Sequence, residues 1–227
     1  MTLFQPSYLK EGPGIDKDAP PKRGLALLLE ILVREFWQII KVNLLFLVCA
    51  LPLVTFGAAR AALSRCTMNM VRDVPNDVWP DFFRAFRQDL PRSTAAGLAE
   101  LFWLGLCLAA LSTDAVHASI PLTGAVCAVL VAGGLFFSYL WPMLVTIDVP
   151  AAAAVRNAAA LAFGCLHHSL PAFLTEAVLL ASGLWFFPLS LPLVLLIPFG
   201  MSSFFTSFAA WSDIRRLIVS KSTKGVS

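Results

Sequence analysis

Four long apolar segments, residues 93–112, 121–147, 171–187 and 189–211, dominate this chain, and a fifth run, 42–58, joins them. No other feature limits the fold as strongly, because a helix needs about 20 mostly apolar residues to cross ~30 Å of hydrocarbon. Between Ala95 and Ile147 the acidic residues are Glu100 and Asp114 alone, and neither Lys nor Arg occurs. Backbone polar groups in lipid must be satisfied internally, so such runs are helices or strands of a closed barrel. Barrel strands alternate in short segments, and these runs do not. Charged residues form 14% of the chain, against about 25% in soluble domains. The expected fold is all-α: a polytopic membrane helix bundle with about five transmembrane helices and amphipathic cytoplasmic helices.

Residues 1–23 carry Pro6, Pro13, Pro20 and Pro21 with Gly12 and Gly14, and read as a polar, flexible N-terminal leader. Residues 24–214 read as a single transmembrane helical domain and 215–227 as a basic cytoplasmic tail. The leader is too long and polar for the n-region of a cleavable signal peptide. From Leu25 to Gln38 charged residues recur among apolar ones at helical spacing, which fits an interfacial helix or the start of a long span. Pro52 and Gly57 interrupt the 42–58 run. Residues 58–72, with Arg60, Arg65 and Arg72, then predict an amphipathic helix, and Trp79–Leu90 predicts another. Pro91, Pro121 and Pro171 suit the first turns of the second, third and fourth spans, where a proline forfeits no helical hydrogen bond. Pro142, Pro188, Pro192 and Pro198 are expected to kink or break spans three to five. Twice, at Leu90-Pro91 and at Leu170-Pro171, a cytoplasmic helix leads through a Leu-Pro step into a membrane hairpin.

Loop charges orient the bundle. Arg60, Arg65, Arg72, Arg84, Arg87 and Arg92 fall in 60–92, Arg156 in 148–170, and Arg215, Arg216, Lys221 and Lys224 in the tail, whereas 112–121 has no Lys or Arg. These three regions are therefore cytoplasmic, and the C-terminus with them. The basic residues before Val42 conflict with a single crossing by 42–58. The preferred reading is one crossing with the N-terminus outside; the alternative is a re-entrant bend at Pro52–Gly57.

Intramembrane polar groups are candidates for function because they are costly unless paired or hydrated. Glu100 lies about 10 Å into its span, at 1.5 Å rise per residue; Glu176 is shallower, and Arg84, Arg87 or Arg92 could pair with either. Asn43 is placed for an interhelical hydrogen bond. Gly124, Ala128 and Ala132 recur every fourth position and mark a helix-packing face. His167 and His168 are adjacent, about 100° apart on a helix, and lack the i, i+4 spacing of a zinc helix. The five cysteines occur singly, without a CxxC pair. No nucleotide-binding loop, nucleophile elbow, zinc helix or dinucleotide fingerprint is present. The arginines of 60–92 are interleaved with Asp73, Asp77, Asp81 and Asp89, which fits anchoring at the inner leaflet and not nucleic acid. The chain is expected to be non-enzymatic, without cofactor or metal.

The run Asn43-Leu44-Leu45, then Leu51-Pro52-Leu53-Val54-Thr55-Phe56-Gly57-Ala58-Ala59, an amphipathic helix, and Phe82-Phe83-Arg84-Ala85-Phe86 resembles the YesL-like family of bacterial membrane proteins. The resemblance is sharpest over residues 43–92 and extends as hydrophobic layout over most of the chain after the leader. It implies residence in the bacterial cytoplasmic membrane and no catalytic residues. It also implies an accessory role beside ABC-type carbohydrate importers, whose permease and ATPase subunits become the expected partners. Ala158–Gly164 followed by Leu170-Pro171 is similar in outline to the coupling helix of importer permeases, with Ala158 where their acid stands. Arg60, Arg65, Phe83, Arg84, Phe86, Arg87, Arg156 and Gly164 are the expected docking residues. A stand-alone carrier or channel, lined by Glu100, Glu176, Arg60 or Arg65, is the alternative.

Overall fold

The structure, a computed structural model, describes residues 24–88, 90–147, 150–185 and 197–216. The leader 1–23, most of the basic tail, Pro188, Pro192 and the start of the predicted fifth span lie outside the described residues. Among those described there are nine α-helices and one 3-10 turn. They are α1 (Leu25–Ala50), α2 (Phe56–Val71), α3 (Val78–Gln88), α4 (Leu90–Leu111), α5 (Asp114–His117), α6 (Ile120–Thr146), α7 (Ala151–Gly164), α8 (Leu166–Trp185) and α9 (Pro198–Ile214).

The helices α4 and α6 are long and apolar enough to cross a membrane, and each buries little of its apolar stretch inside the protein. Phe102 and Ile120, for example, are 74% and 89% exposed. A third candidate is α7 taken with residues 166–179 of α8, bent by 95° at the break between them. Among the described residues there are therefore two to three candidate spans, and the five that the sequence predicts are not shown. Such an outward apolar surface is that of a membrane protein, since lipid, unlike water, accepts it.

The 42–58 run is not one continuous helix. α1 ends at Ala50, a 3-10 turn follows at Leu53–Thr55, and α2 starts at Phe56. The Thr55 hydroxyl donates to the Cys49 carbonyl at 2.7 Å, satisfying an acceptor at the end of α1. α2 then returns along α1, as Arg34 shows by reaching Asp73, just past the end of α2, at 2.7 Å. The two helices thus form a hairpin whose open ends face the same way. A bend at Pro52 thus stands where the sequence suggests one continuous run, because Pro52 has no N–H to continue α1.

The second correction concerns α2 itself. Its arginines suggest an exposed amphipathic helix, yet nearly all its side chains are buried. Gly57, Ala58, Ala59, Ala61, Ala62 and Ser64 make it thin enough for α1, α3, α4, α6 and α9 to pack around it. At its crossing with α4 the backbones meet. A Cβ on Gly57 would land on the Ser93 carbonyl, and one on Gly97 would land on the Gly57 backbone. α2 ends in a Schellman turn, with Asp73 N–H bonded to Met70 O and Val74 N–H to Asn69 O. Asp73 takes the required positive φ of 56°.

Two cores result. One joins α1, α2 and α3 to α9 through Phe46, Leu63, Phe82 and Phe204. The other joins α6 and α7 to α9 through Leu140, Met143, Ala158, Ala210 and Ile214. α9 is therefore the shared wall. Pro198 opens it at the first turn, and Pro142 lies inside an α6 that continues to Thr146. Pro171 does not begin its span. α8 starts at Leu166, and the break falls at Cys165, whose φ of −115° and ψ of 44° leave the helical region.

Candidate functional site

Arg60 enters the bundle from the buried α2. Its Nη2 donates to Glu176 Oε1 on α8 at 2.7 Å, with the two side chains only 9% and 11% exposed. The Ser138 hydroxyl on α6 is shared between the Gly134 carbonyl at 2.8 Å and Glu176 Oε2 at 3.1 Å. Three residues on, and so on the same face of α6, Trp141 Nε1 donates to Glu100 Oε2 of α4 at 2.8 Å. The Glu100 charge acts on Arg60 as well. One guanidinium, two carboxylates, a hydroxyl and an indole thus tie α2, α4, α6 and α8 together. A buried charge is tolerable only when paired and hydrogen-bonded, and each of the two acids has a donor here.

Glu100 and Glu176 are thus brought to one site, and the partners they have there differ from those expected. Arg60 takes the place of Arg84, Arg87 or Arg92. This happens because α2 is interior, which turns an arginine of an expected surface helix into the central cation. Arg60 is correspondingly withdrawn from any docking surface.

A second polar knot closes α9. Asp213 is 1% exposed and lies near the C-terminus of its helix, where the dipole disfavours an anion. Tyr139 on α6 donates its hydroxyl to Asp213 Oδ2 at 2.7 Å, and His168 Nδ1 on α8 meets Oδ1 at 2.7 Å. At the other end of α9, Asn43 Oδ1 accepts from the Gly200 N–H at 2.8 Å. That N–H belongs to the first turn, which has no capping side chain of its own. Asn43 therefore caps α9 from α1. Between these ends, Thr67 Oγ1 contacts Ser203 Oγ and Ser207 Oγ, each at 3.0 Å. Ser138, Tyr139, Trp141 and Asp213 escape the sequence reading because nothing in their spacing relates them; Asp213 closing an apolar run was the one available signal.

Among the described residues the expected packing face has no close neighbour at Gly124. Gly124 and Ala128 are exposed and Ala132 half-buried, and a Cβ on Gly124 would meet nothing within 4 Å. The close approaches fall instead on Gly133, covered by Trp103, and Gly134, covered by Phe173. Among the described residues, the close-packed part of α6 begins near Gly133, beyond the regularly spaced small residues.

The remaining docking candidates lie on or beside α3 and α7. Val78 and Phe82 bury the inner face of α3, leaving Trp79 60% and Phe83 37% exposed. Their rings stack with centroids 6.3 Å apart. Arg84, bonded to Asp81 at 3.2 Å, and Arg87 are exposed beside them. Phe86 and Arg65 are half-buried. On α7, Ala154, Ala158, Leu161 and Ala162 are buried, whereas Arg156 and Gly164 are exposed. Among the described residues no three His, Cys, Asp or Glu side chains converge in a way that could hold a metal ion.

No curated protein and no solved structure matches the chain. Residues 39–111, from the middle of α1 to the end of α4, carry Asn43, Gly57, Arg60, Gly97 and Glu100. They match the model of a family described as "Protein of unknown function, DUF624", and the likeness is confined to this segment.

Proposed function

We propose that the chain is a non-enzymatic accessory subunit of an ABC-type carbohydrate importer in the bacterial cytoplasmic membrane, of the YesL-like kind. α4 and α6 cross the membrane in this reading, and α8 with α9 forms a second hairpin. The α1–α2 hairpin enters and leaves on the cytoplasmic side, where α3, α7 and the C-terminus also lie. The observation that carries the reading is the outer face of α3. Two stacked aromatic rings flanked by Arg84 and Arg87 are the residue types that dominate protein–protein interfaces, and they are presented on a helix anchored by Val78 and Phe82. The interior charges point the same way, because Arg60, Glu100 and Glu176 are held by one another and by α6. Purification in mild detergent with the products of neighbouring genes tests this. Importer permease or ATPase subunits should accompany the wild-type chain and be lost from a Phe83→Asp/Arg87→Glu variant. An importer that assembles intact without the chain would refute it.

A second reading, a stand-alone carrier of small solutes, is favoured by the charged cluster between α2, α4, α6 and α8. It requires reconstituted vesicles to show a solute flux that Glu100→Gln abolishes.

A further inference from the structure

α9 packs against both α1 and α8, and a cleft of about 1160 Å³ runs over it between them. The His168–Asp213 bond joins the start of α8 to the end of α9, so the two helices run antiparallel. Their polar ends therefore coincide: His167 and His168 on one, Arg215 and Arg216 on the other, all lining the cleft. One turn further along, the lining becomes apolar on both helices, with Pro171 and Ala172 facing Phe208 and Ala209. Arg72 adds a cation at the polar end, held over the Trp211 ring at 4.9 Å. The lining acid, Asp73, is engaged by Arg34, and the buried Asp213 beside the polar end is held by Tyr139 and His168. The outer sides of both walls are apolar and exposed, at Leu25, Leu29 and Val33 on α1 and Leu170, Leu174 and Val178 on α8.

We propose that this cleft binds one anionic phospholipid of the surrounding leaflet. Its phosphate lies at the arginine–histidine end, and one acyl chain lies along Phe208 and Ala209. A soluble anion would leave the apolar floor unused, and an uncharged lipid would bring no anion to Arg72 and Arg215. The lipid-like outer walls supply the occupant directly from the bilayer.

Native mass spectrometry of the full chain, released from micelles holding equal phosphatidylglycerol and phosphatidylcholine of one chain length, tests the site. A single phosphatidylglycerol should be retained in preference. Arg72→Ala and Arg215→Ala should each weaken retention about fivefold, the contribution of one basic residue beside an anionic surface. Lys41→Ala, which removes an exposed cation of α1 outside the cleft, should leave it unchanged. Ala209→Trp, which fills the apolar floor, should abolish retention, and glycerol 3-phosphate should not compete. Equal retention of the two lipids would overturn the proposal, as would indifference to both arginine variants. Competition by glycerol 3-phosphate would reduce the cleft to an ion site and also overturn it. So would a dimer that the arginine variants dissolve, since a second copy would then be the occupant. Should Ala209→Trp fail to fold, the exposed arginines carry the test alone.

Discussion

Arg60→Met removes the cation that serves both Glu176 and Glu100 and leaves the buried Glu176 and the half-buried Glu100 without it. Glu176→Gln is the milder change, because Arg60 keeps the Glu100 charge as compensation. Breaking a buried ion pair by removing one partner costs about 3–5 kcal/mol, and Arg60→Met belongs at the upper end of that range. For a chain of this size 1 kcal/mol shifts the melting temperature by roughly 2–4 °C, so the loss should be about 6–20 °C. The double variant Arg60→Met/Glu176→Gln removes both charges and should recover much of the Arg60→Met loss, a coupling of about 0.5–3 kcal/mol. Thermal unfolding in mild detergent, followed by tryptophan fluorescence, reads all three variants. Strictly additive losses, or a larger loss for Glu176→Gln than for Arg60→Met, would refute the reasoning that Arg60 is the shared counter-charge.

Gly57→Ala and Gly97→Ala force backbone apart at the α2–α4 crossing. Each should cost about 1–3 kcal/mol as an overpacking change and lower the yield of folded protein on size exclusion, while Gly124→Ala should be neutral. Asn43→Leu removes the cap on α9 and should lower the melting temperature by the equivalent of about 0.5–2 kcal/mol. Single cysteines at Leu25 and Asp77, in a cysteine-free background, should be labelled from the same membrane face, and one at Asp114 from the opposite face. Labelling of Leu25 together with Asp114 would favour the single crossing by 42–58.

Composition made the helical membrane character plain, and the bounds of α4 and α6 fall within three residues of the runs that suggested them. Those helices were legible because their apolar surface faces outward and continuously. α2 was not. An arginine on a short, alanine-rich helix reads the same whether it faces solvent or a distant glutamate, and Glu176 is 116 positions away from Arg60. That Gly124 has no close neighbour among the described residues has a related cause, since small-residue spacing shows where helices could approach and not which stretch has a neighbour. Asn43 was legible as an interhelical donor or acceptor, but its role as a cap depended on where α9 begins. Tyr139, His168 and Asp213 come together only when three helices are assembled.

The docking role rests on the exposed face of α3, and site-specific photo-crosslinking in living cells tests it most directly. A photoreactive residue replacing Trp79 or Arg84 should give an adduct containing a permease or ATPase subunit of a carbohydrate importer, and one replacing exposed Phe102 on α4 should not. If the α3 positions capture lipid alone, or no importer subunit, the accessory-subunit account is contradicted.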